Sequence, residues 1–100
     1  MEHMPGAVAR KARSFAQAGD YNQAVAVASL LVPGMEHQLE QFRVRMRAFE
    51  SAKAIGHWRE AVSALTDARM AALAAGIPEL AQVASDQLFR LVKEQEVREP

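Results

Sequence analysis

Side chains able to carry out chemistry are few in this chain and lie far apart in the sequence. The three histidines are His3, His37 and His57. A helical zinc site commonly places two histidines four residues apart on one helix face, and this chain has no such pair. Cysteine is absent, which excludes disulfides, thiolate nucleophiles and cysteine-ligated zinc. We therefore expect no metal and no other cofactor.

Carboxylates and hydroxyls are the remaining candidates for catalysis. Glu36 and Glu40 lie one helical turn apart, but acid–base catalysis requires a cleft that shifts the pKa of such groups, and the sequence indicates an exposed face here. No nucleophile motif surrounds any of the serines, which are Ser14, Ser29, Ser51, Ser63 and Ser85. We interpret the protein as non-enzymatic.

The composition predicts one all-α domain. The chain has 100 residues, 50% of them hydrophobic and only 6% aromatic, and alanine supplies much of the apolar fraction. Alanine has the highest intrinsic helix propensity. Runs of β-branched residues and alternating apolar patterns, which would indicate strands, are nearly absent.

Charge and hydropathy narrow the classes of partner. Twelve basic residues balance twelve acidic ones, which disfavours a dedicated nucleic-acid binder because such proteins usually carry a basic excess. No apolar stretch approaches the roughly 20 residues of a membrane span. The N-terminal residues MEHMPG lack the features of a secretion signal. We expect a cytoplasmic protein with no membrane partner.

Glycine and proline divide the chain into five segments of helical length. The predicted helices span residues 6–18, 21–32, 36–55, 58–75 and 78–95. They form a single domain over residues 6–95, between a disordered tail at residues 1–5 and a frayed tail at residues 96–100. Because the connections are short, consecutive helices are expected to lie antiparallel.

Apolar side chains repeat at helical spacing in the third and fifth predicted helices. In the third helix, one stripe consists of Leu39, Phe42, Met46 and Phe49, and a second stripe consists of Val44, Ala48 and Ile55. Two stripes predict that this helix is packed between neighbours on both sides. In the fifth helix, Leu88 and Val92 are among the residues expected to face inward.

A short phrase occurs twice, 37 positions apart, as GDYNQAV from residue 19 and GHWREAV from residue 56. Glycine after a helix allows the chain to turn through a left-handed conformation. The aromatic residue two positions later, Tyr21 or Trp58, is expected to pack over the preceding helix, and alanine at the sixth position keeps the helix pair close. The phrase therefore predicts two helix–turn–helix hairpins.

These residues resemble the tetratricopeptide repeat family, whose period is about 34 residues. The resemblance is carried by Ala12, Phe15, Gly19, Tyr21 and Ala24 in the first copy and by Gly56, Trp58, Ala61, Leu65 and Ala68 in the second. It implies two stacked hairpins plus a C-terminal helix in a right-handed superhelix. A plain helical bundle with the same tight hairpins is the alternative.

The resemblance also implies a groove that binds a helix or peptide segment of another protein. The first helix of each repeat lines such a groove, and the third predicted helix takes that role here. Gln38, Gln41 and Arg45 are therefore the expected partner contacts. The alternative for Arg45 is a cap on a neighbouring helix or simple exposure to solvent.

Two apolar residues fall on polar sides of their predicted helices. Phe89 lies among polar residues of the fifth helix, and Met70 lies on the polar side of the fourth. Together they are a candidate patch for a partner or a homodimer. An isolated exposed aromatic residue without function is the alternative.

Basic residues would form a strip if the first and third helices adjoined: Arg10, Lys11, Arg13, Arg43 and Arg47. An ordinary solvated face is the competing interpretation.

The sequence as a whole predicts a non-catalytic protein–protein interaction module with an adaptor-like or chaperone-like role. The alternative is a self-associating α-helical regulator that binds nucleic acid weakly through the basic strip.

Overall fold

The computed structural model describes residues 5–98, and all regular structure in that range is α-helical. The five helices are α1 (Pro5–Gln17), α2 (Tyr21–Ala28), α3 (Glu36–Ala54), α4 (Trp58–Ala75) and α5 (Pro78–Arg98). The all-α prediction and the number of helices are confirmed for this part of the chain. Of the tail expected at residues 1–5, residues 1–4 lie outside the described range, whereas Pro5 is the first residue of α1. Residues 99 and 100 of the expected C-terminal tail also lie outside that range.

Two helices, α2 and α5, end three or more residues away from the predicted position. α2 ends at Ala28 instead of residue 32, because the amides of Leu30 and Leu31 bond three residues back, to Val27 and Ala28. This tighter turn leaves the residue before Pro33 outside the helix, as the proline ring requires. α5 continues beyond residue 95 to Arg98, since its last residues are good helix formers.

The repeated phrase builds the same helix ending in both places. Gly19 and Gly56 have φ angles of 84° and 75°, in the left-handed region that costs glycine little. The amide that follows each glycine donates to the carbonyl five residues back: Asp20 to Phe15 and His57 to Ala52, both at 2.9 Å. This pair of features defines a Schellman ending. The predicted function of the phrase as a turn-forming device is confirmed.

Large side chains on one face of α3 form the centre of the core. Leu39, Phe42, Met46 and Phe49, the first predicted stripe, are all at most 1% exposed. Around them the contacts between helices are made largely by alanines with no exposed surface: Ala12, Ala24, Ala28, Ala61, Ala68 and Ala72. Alanine allows close approach of helix axes, and the most extensive helix–helix contact is between α3 and α4.

The second predicted stripe of α3 is exposed, so the prediction that this helix is covered on both sides was wrong. Val44 is 42% and Ile55 is 66% exposed, and Ala48 is also exposed. α3 packs most extensively against α4 and also against α2. Its buried large side chains lie on one half of the helix, and the residues of the second stripe, on the opposite half, are exposed.

The first helix contacts the last. α1 packs against α2 and against α5, and α4 packs against both α3 and α5. Arg13 Nη1 of α1 donates to Gln82 Oε1 of α5 at 3.5 Å. The series of helices is therefore joined at its two ends as well as between neighbours.

Tyr21, the aromatic residue of the first phrase, fastens α2 to α3. Its ring is 4% exposed and lies edge-on against Phe42, with 6.4 Å between centroids. Its hydroxyl donates to Glu50 Oε2 at 2.7 Å. Burial of the ring and this hydrogen bond raise the pKa of Tyr21 well above the ordinary 10.0. Trp58, the equivalent residue of the second phrase, is only partly buried.

Replacing the glycine of the second phrase tests the turn. A Cβ added at Gly56 would meet no atom within 4 Å, so the cost of Gly56→Ala is confined to the backbone. We expect a loss of about 1 kcal/mol in the free energy of unfolding, measured by urea denaturation. Gly6→Ala, at a helical glycine, is the control and should be neutral or stabilising. Equal losses in the two variants would contradict the requirement for a left-handed residue.

The Tyr21–Glu50 bond predicts a fall in stability at high pH. Because the pKa of Tyr21 is raised in the folded state, the unfolded chain loses this proton first above pH 10.0. The stability that Tyr21 contributes is complete below that pH and is lost as the pH rises beyond it. Tyr21→Phe should cost about 1 kcal/mol at neutral pH and should remove that part of the alkaline loss.

Ultraviolet absorbance checks the same point directly, since Tyr21 is the single tyrosine. The tyrosinate band should appear at higher pH in the native protein than in urea. Coincident titration curves would show that the hydroxyl is not held by Glu50.

Candidate interaction surface

Exposed apolar side chains concentrate on α4 and α5. Met70 and Leu73 on α4 are 57% and 45% exposed, and Phe89 and Val92 on α5 are 65% and 44% exposed. Single exposed apolar residues are common on protein surfaces, whereas neighbouring ones that line a concave surface are of the kind that partners cover, as Phe89 and Val92 do. This surface is the strongest candidate for a functional site among the described residues.

A cleft at the junction of the two helices contains part of this surface. The α4–α5 cleft, of about 380 Å³, is lined by Arg69, Ser85, Leu88, Phe89 and Val92. Helical spacing explains the lining, because residues 85, 88 and 92 lie on one face of α5 at intervals of three and four. The cleft is mainly apolar, with one guanidinium at its edge.

A second cleft continues along the same junction. It has a volume of about 640 Å³ and is lined by His57, Trp58, Arg59, Glu60, Val62 and Gln95. Val62 lies two helical turns before Arg69 on the same side of α4, and Gln95 lies one turn after Val92 on α5. The two clefts therefore lie along the same side of α4 and α5, and the second one contains Trp58. His57 Nδ1 lies 2.7 Å from Glu60 Oε1 in this second cleft.

Positive charge borders the α4–α5 cleft. Arg69 lines it, and the Lys93 ammonium nitrogen lies 5.6 Å from the centroid of the Phe89 ring. Such a contact between a cation and an aromatic face is attractive. Neither Arg69 nor Lys93 forms a salt bridge with another described side chain. Their charges are thus available to an acidic partner.

The predicted contacts on α3 lie elsewhere. Gln38 and Gln41 are half-buried, and Arg45 Nε lies 3.8 Å from Asp67 Oδ2 of α4, with both side chains about half exposed. A pair at this distance and exposure contributes little to stability. The structure thus connects Arg45 to α4 and does not bring these three residues to the cleft that contains Phe89. Their role as partner contacts stays a prediction.

Sequence reasoning identified Phe89 but not the residues around it. Leu88 and Val92 were expected to face inward, yet Leu88 is only partly buried and Val92 is 44% exposed. Met70 was expected beside Phe89, and its neighbour Arg69 takes that position in the cleft. The width of the apolar stripe on α5 was the available signal: Leu88, Phe89 and Val92 extend it beyond what one neighbouring helix covers.

The basic residues of α1 and α3 have separate neighbours. Arg13 bonds to α5, whereas Arg43 pairs with Glu40 and its Nη1 donates to Asn22 Oδ1 at 3.4 Å. The hydrogen bond from Arg43 lowers the pKa of Glu40. The expected strip requires that α1 and α3 lie side by side. The extensive contacts of α1 are instead with α2 and α5.

Within residues 5–98, no group of three or more histidine, aspartate or glutamate side chains is arranged to hold a metal ion. None of the described helices is long and apolar enough to cross a membrane.

Comparison of the chain with models of protein families, with curated proteins and with solved structures gives no match.

Proposed function

We propose that this protein is a non-catalytic interaction module whose α4–α5 cleft receives an amphipathic helix of a partner protein. The observation that carries the proposal is Phe89, a large aromatic side chain 65% exposed at the edge of an apolar cleft between two helices. An adaptor-like or chaperone-like role in the cytoplasm belongs to the same proposal.

The groove between two packed helices is a natural seat for a third helix. A bound amphipathic helix would present apolar residues at intervals of three, four and seven to the cleft. Phe89 would supply the kind of large aromatic contact that dominates binding energy at interfaces. Its burial, with that of Val92, contributes about 25 cal/mol for each Å² of apolar surface removed from water.

The charges beside the cleft favour an acidic partner. Arg69 lines the cleft and Lys93 lies over the Phe89 ring, and neither has a salt bridge with another described side chain. Carboxylates flanking the apolar face of a partner helix would complement both. Such complementarity mainly sets specificity and orientation, while the apolar surface supplies affinity.

Two arrangements of the helices were open: a stacked antiparallel superhelix of tetratricopeptide type and a bundle. Units of a stacked repeat contact only their neighbours, whereas α1 here contacts α5. This contact favours the bundle. The proposed binding groove accordingly lies on the outside of α4 and α5 and not on the face of α3 that carries Gln38, Gln41 and Arg45.

The alternative function, a regulator that binds nucleic acid, has weaker support. It depends on a continuous strip formed by basic residues of α1 and α3, and these helices have other extensive neighbours. Self-association, the other half of that alternative, does not need the strip.

A designed peptide tests the proposed groove without knowledge of the natural partner. The probe is an 18-residue helix with leucine at intervals of three and four and glutamate at the other positions; a second peptide carries lysine in place of glutamate. The protein is held at nanomolar concentration, and emission of Trp58, the single tryptophan, reports binding at the groove. We expect the acidic peptide to bind at least about tenfold more tightly.

The variants locate the binding site. Phe89→Ala should weaken binding of the acidic peptide by about tenfold or more. Leu30→Ala is the matched control, because Leu30 is 75% exposed but lies between α2 and α3. Equal binding of both peptides, or equal effects of both substitutions, would overturn the proposal.

A further inference from the structure

We propose that the helix bound at Phe89 is α5 of a second copy of this chain, crossing antiparallel at this residue. The inference rests on the proposed function, since Phe89 lies both at the edge of the α4–α5 cleft and on the exposed side of α5. It follows from the order of charges along the exposed side of α5, which is complementary to itself under a two-fold rotation.

The exposed side of α5 carries five residues at alternating intervals of four and three. They are Gln82, Asp86, Phe89, Lys93 and Glu96, and all are exposed. These intervals place residues along one ridge of a helix. The opposite side of α5 contains the buried Leu80, Ala84 and Leu91. Arg13 of α1 reaches the first residue of the ridge, Gln82, and the remainder of the ridge, from Asp86 to Glu96, is exposed.

Two-fold symmetry requires that each residue of such an interface meet its counterpart in reverse order. With the crossing at Phe89, Asp86 lies three residues before the centre and Lys93 four residues after it. Asp86 therefore faces Lys93 of the second copy, and Lys93 faces the second copy's Asp86. Gln82 and Glu96, seven residues on either side of the centre, face each other as an amide donor and a carboxylate acceptor.

Other arrangements of two α5 helices are less favourable. In a parallel pair, Asp86 would face Asp86 and Lys93 would face Lys93, and like charges at close range repel. In an antiparallel pair shifted toward the C-terminus, Asp86 would approach the second copy's Glu96. Only the crossing centred near Phe89 pairs opposite charges on both sides of the aromatic ring.

Within the single chain Gln82 accepts from Arg13 of α1, whereas the charged groups beside Phe89, Asp86 and Lys93, have no ion pair among the described side chains. Lys93 instead lies over the Phe89 ring, beside the position at which a second carboxylate would arrive. The two Phe89 rings would meet at the symmetry axis and cover Val92 of each copy. Apolar contact then supplies the affinity, and the paired charges fix the direction and register.

The expected dimer is weak, because one ridge on each copy gives an interface at the small end of the range for specific complexes. We expect a reversible monomer–dimer equilibrium with a dissociation constant in the micromolar range, measured by sedimentation equilibrium. Phe89→Ala should weaken dimerisation by about tenfold or more, whereas Leu30→Ala should leave it unchanged.

Charge reversal gives the decisive test. Asp86→Lys and Lys93→Asp each place like charges across the interface, so each variant alone should be monomeric. When the two variants are mixed, each introduced charge faces an opposite charge on the other chain, and a heterodimer should form. Circular dichroism of each variant establishes that it is folded, since both substitutions lie on the exposed ridge.

The outcomes separate this inference from the proposed function. A wild-type chain that stays monomeric at high micromolar concentration, or a dimer that Asp86→Lys leaves intact, would overturn the α5–α5 dimer. If the acidic peptide still binds in a Phe89-dependent manner in that case, the proposed function stands without it. If neither peptide binding nor dimerisation depends on Phe89, both proposals fail.

Discussion

Close approach of helices through alanine is the constraint on which the rest of this structure depends. Ala12, Ala24, Ala61 and Ala68 have no exposed surface, and each stands where a larger side chain would force two helix axes apart. Because the helices approach closely, the four large side chains on one face of α3 are enough to fill the space between them. Because the core is closely packed, a larger side chain at any of these alanines would overpack it and lower the stability of the fold.

A core with few large side chains also leaves apolar surface exposed. α4 packs against both α3 and α5, and α1 packs against α5. Phe89 on α5 and Val44 and Ile55 on the outer half of α3 are left exposed. The α4–α5 cleft is favoured over α3 as the binding surface because it is concave and bordered by the charges of Arg69 and Lys93.

Sequence and structure agree most closely where the cause is local. The helix endings at Gly19 and Gly56 depend on backbone freedom at single residues, and Asp20 accepts from the amide of Gln23 at 3.2 Å as an N-terminal cap should. The buried stripe of α3 follows from its four large apolar residues. The end of α2 was predicted too late, because the apolar residues before Pro33, two leucines and a valine, suggested that the helix continues. In the structure the amides of both leucines bond three residues back, and the α-helix ends at Ala28.

The sequence by itself determined that the protein is all-helical, where most helices begin and end, and which face of α3 is buried, since these features follow from propensity, glycine conformation and periodicity. Only the tertiary structure decided which residues of the predicted apolar stripes stay exposed. Val44, Ile55 and Val92 were expected to be buried from their helical spacing and are exposed, because whether each is covered depends on which helix lies beside it. That α1 packs on α5 and that α4 and α5 form a cleft at Phe89 are results of packing between distant segments, which no local pattern encodes.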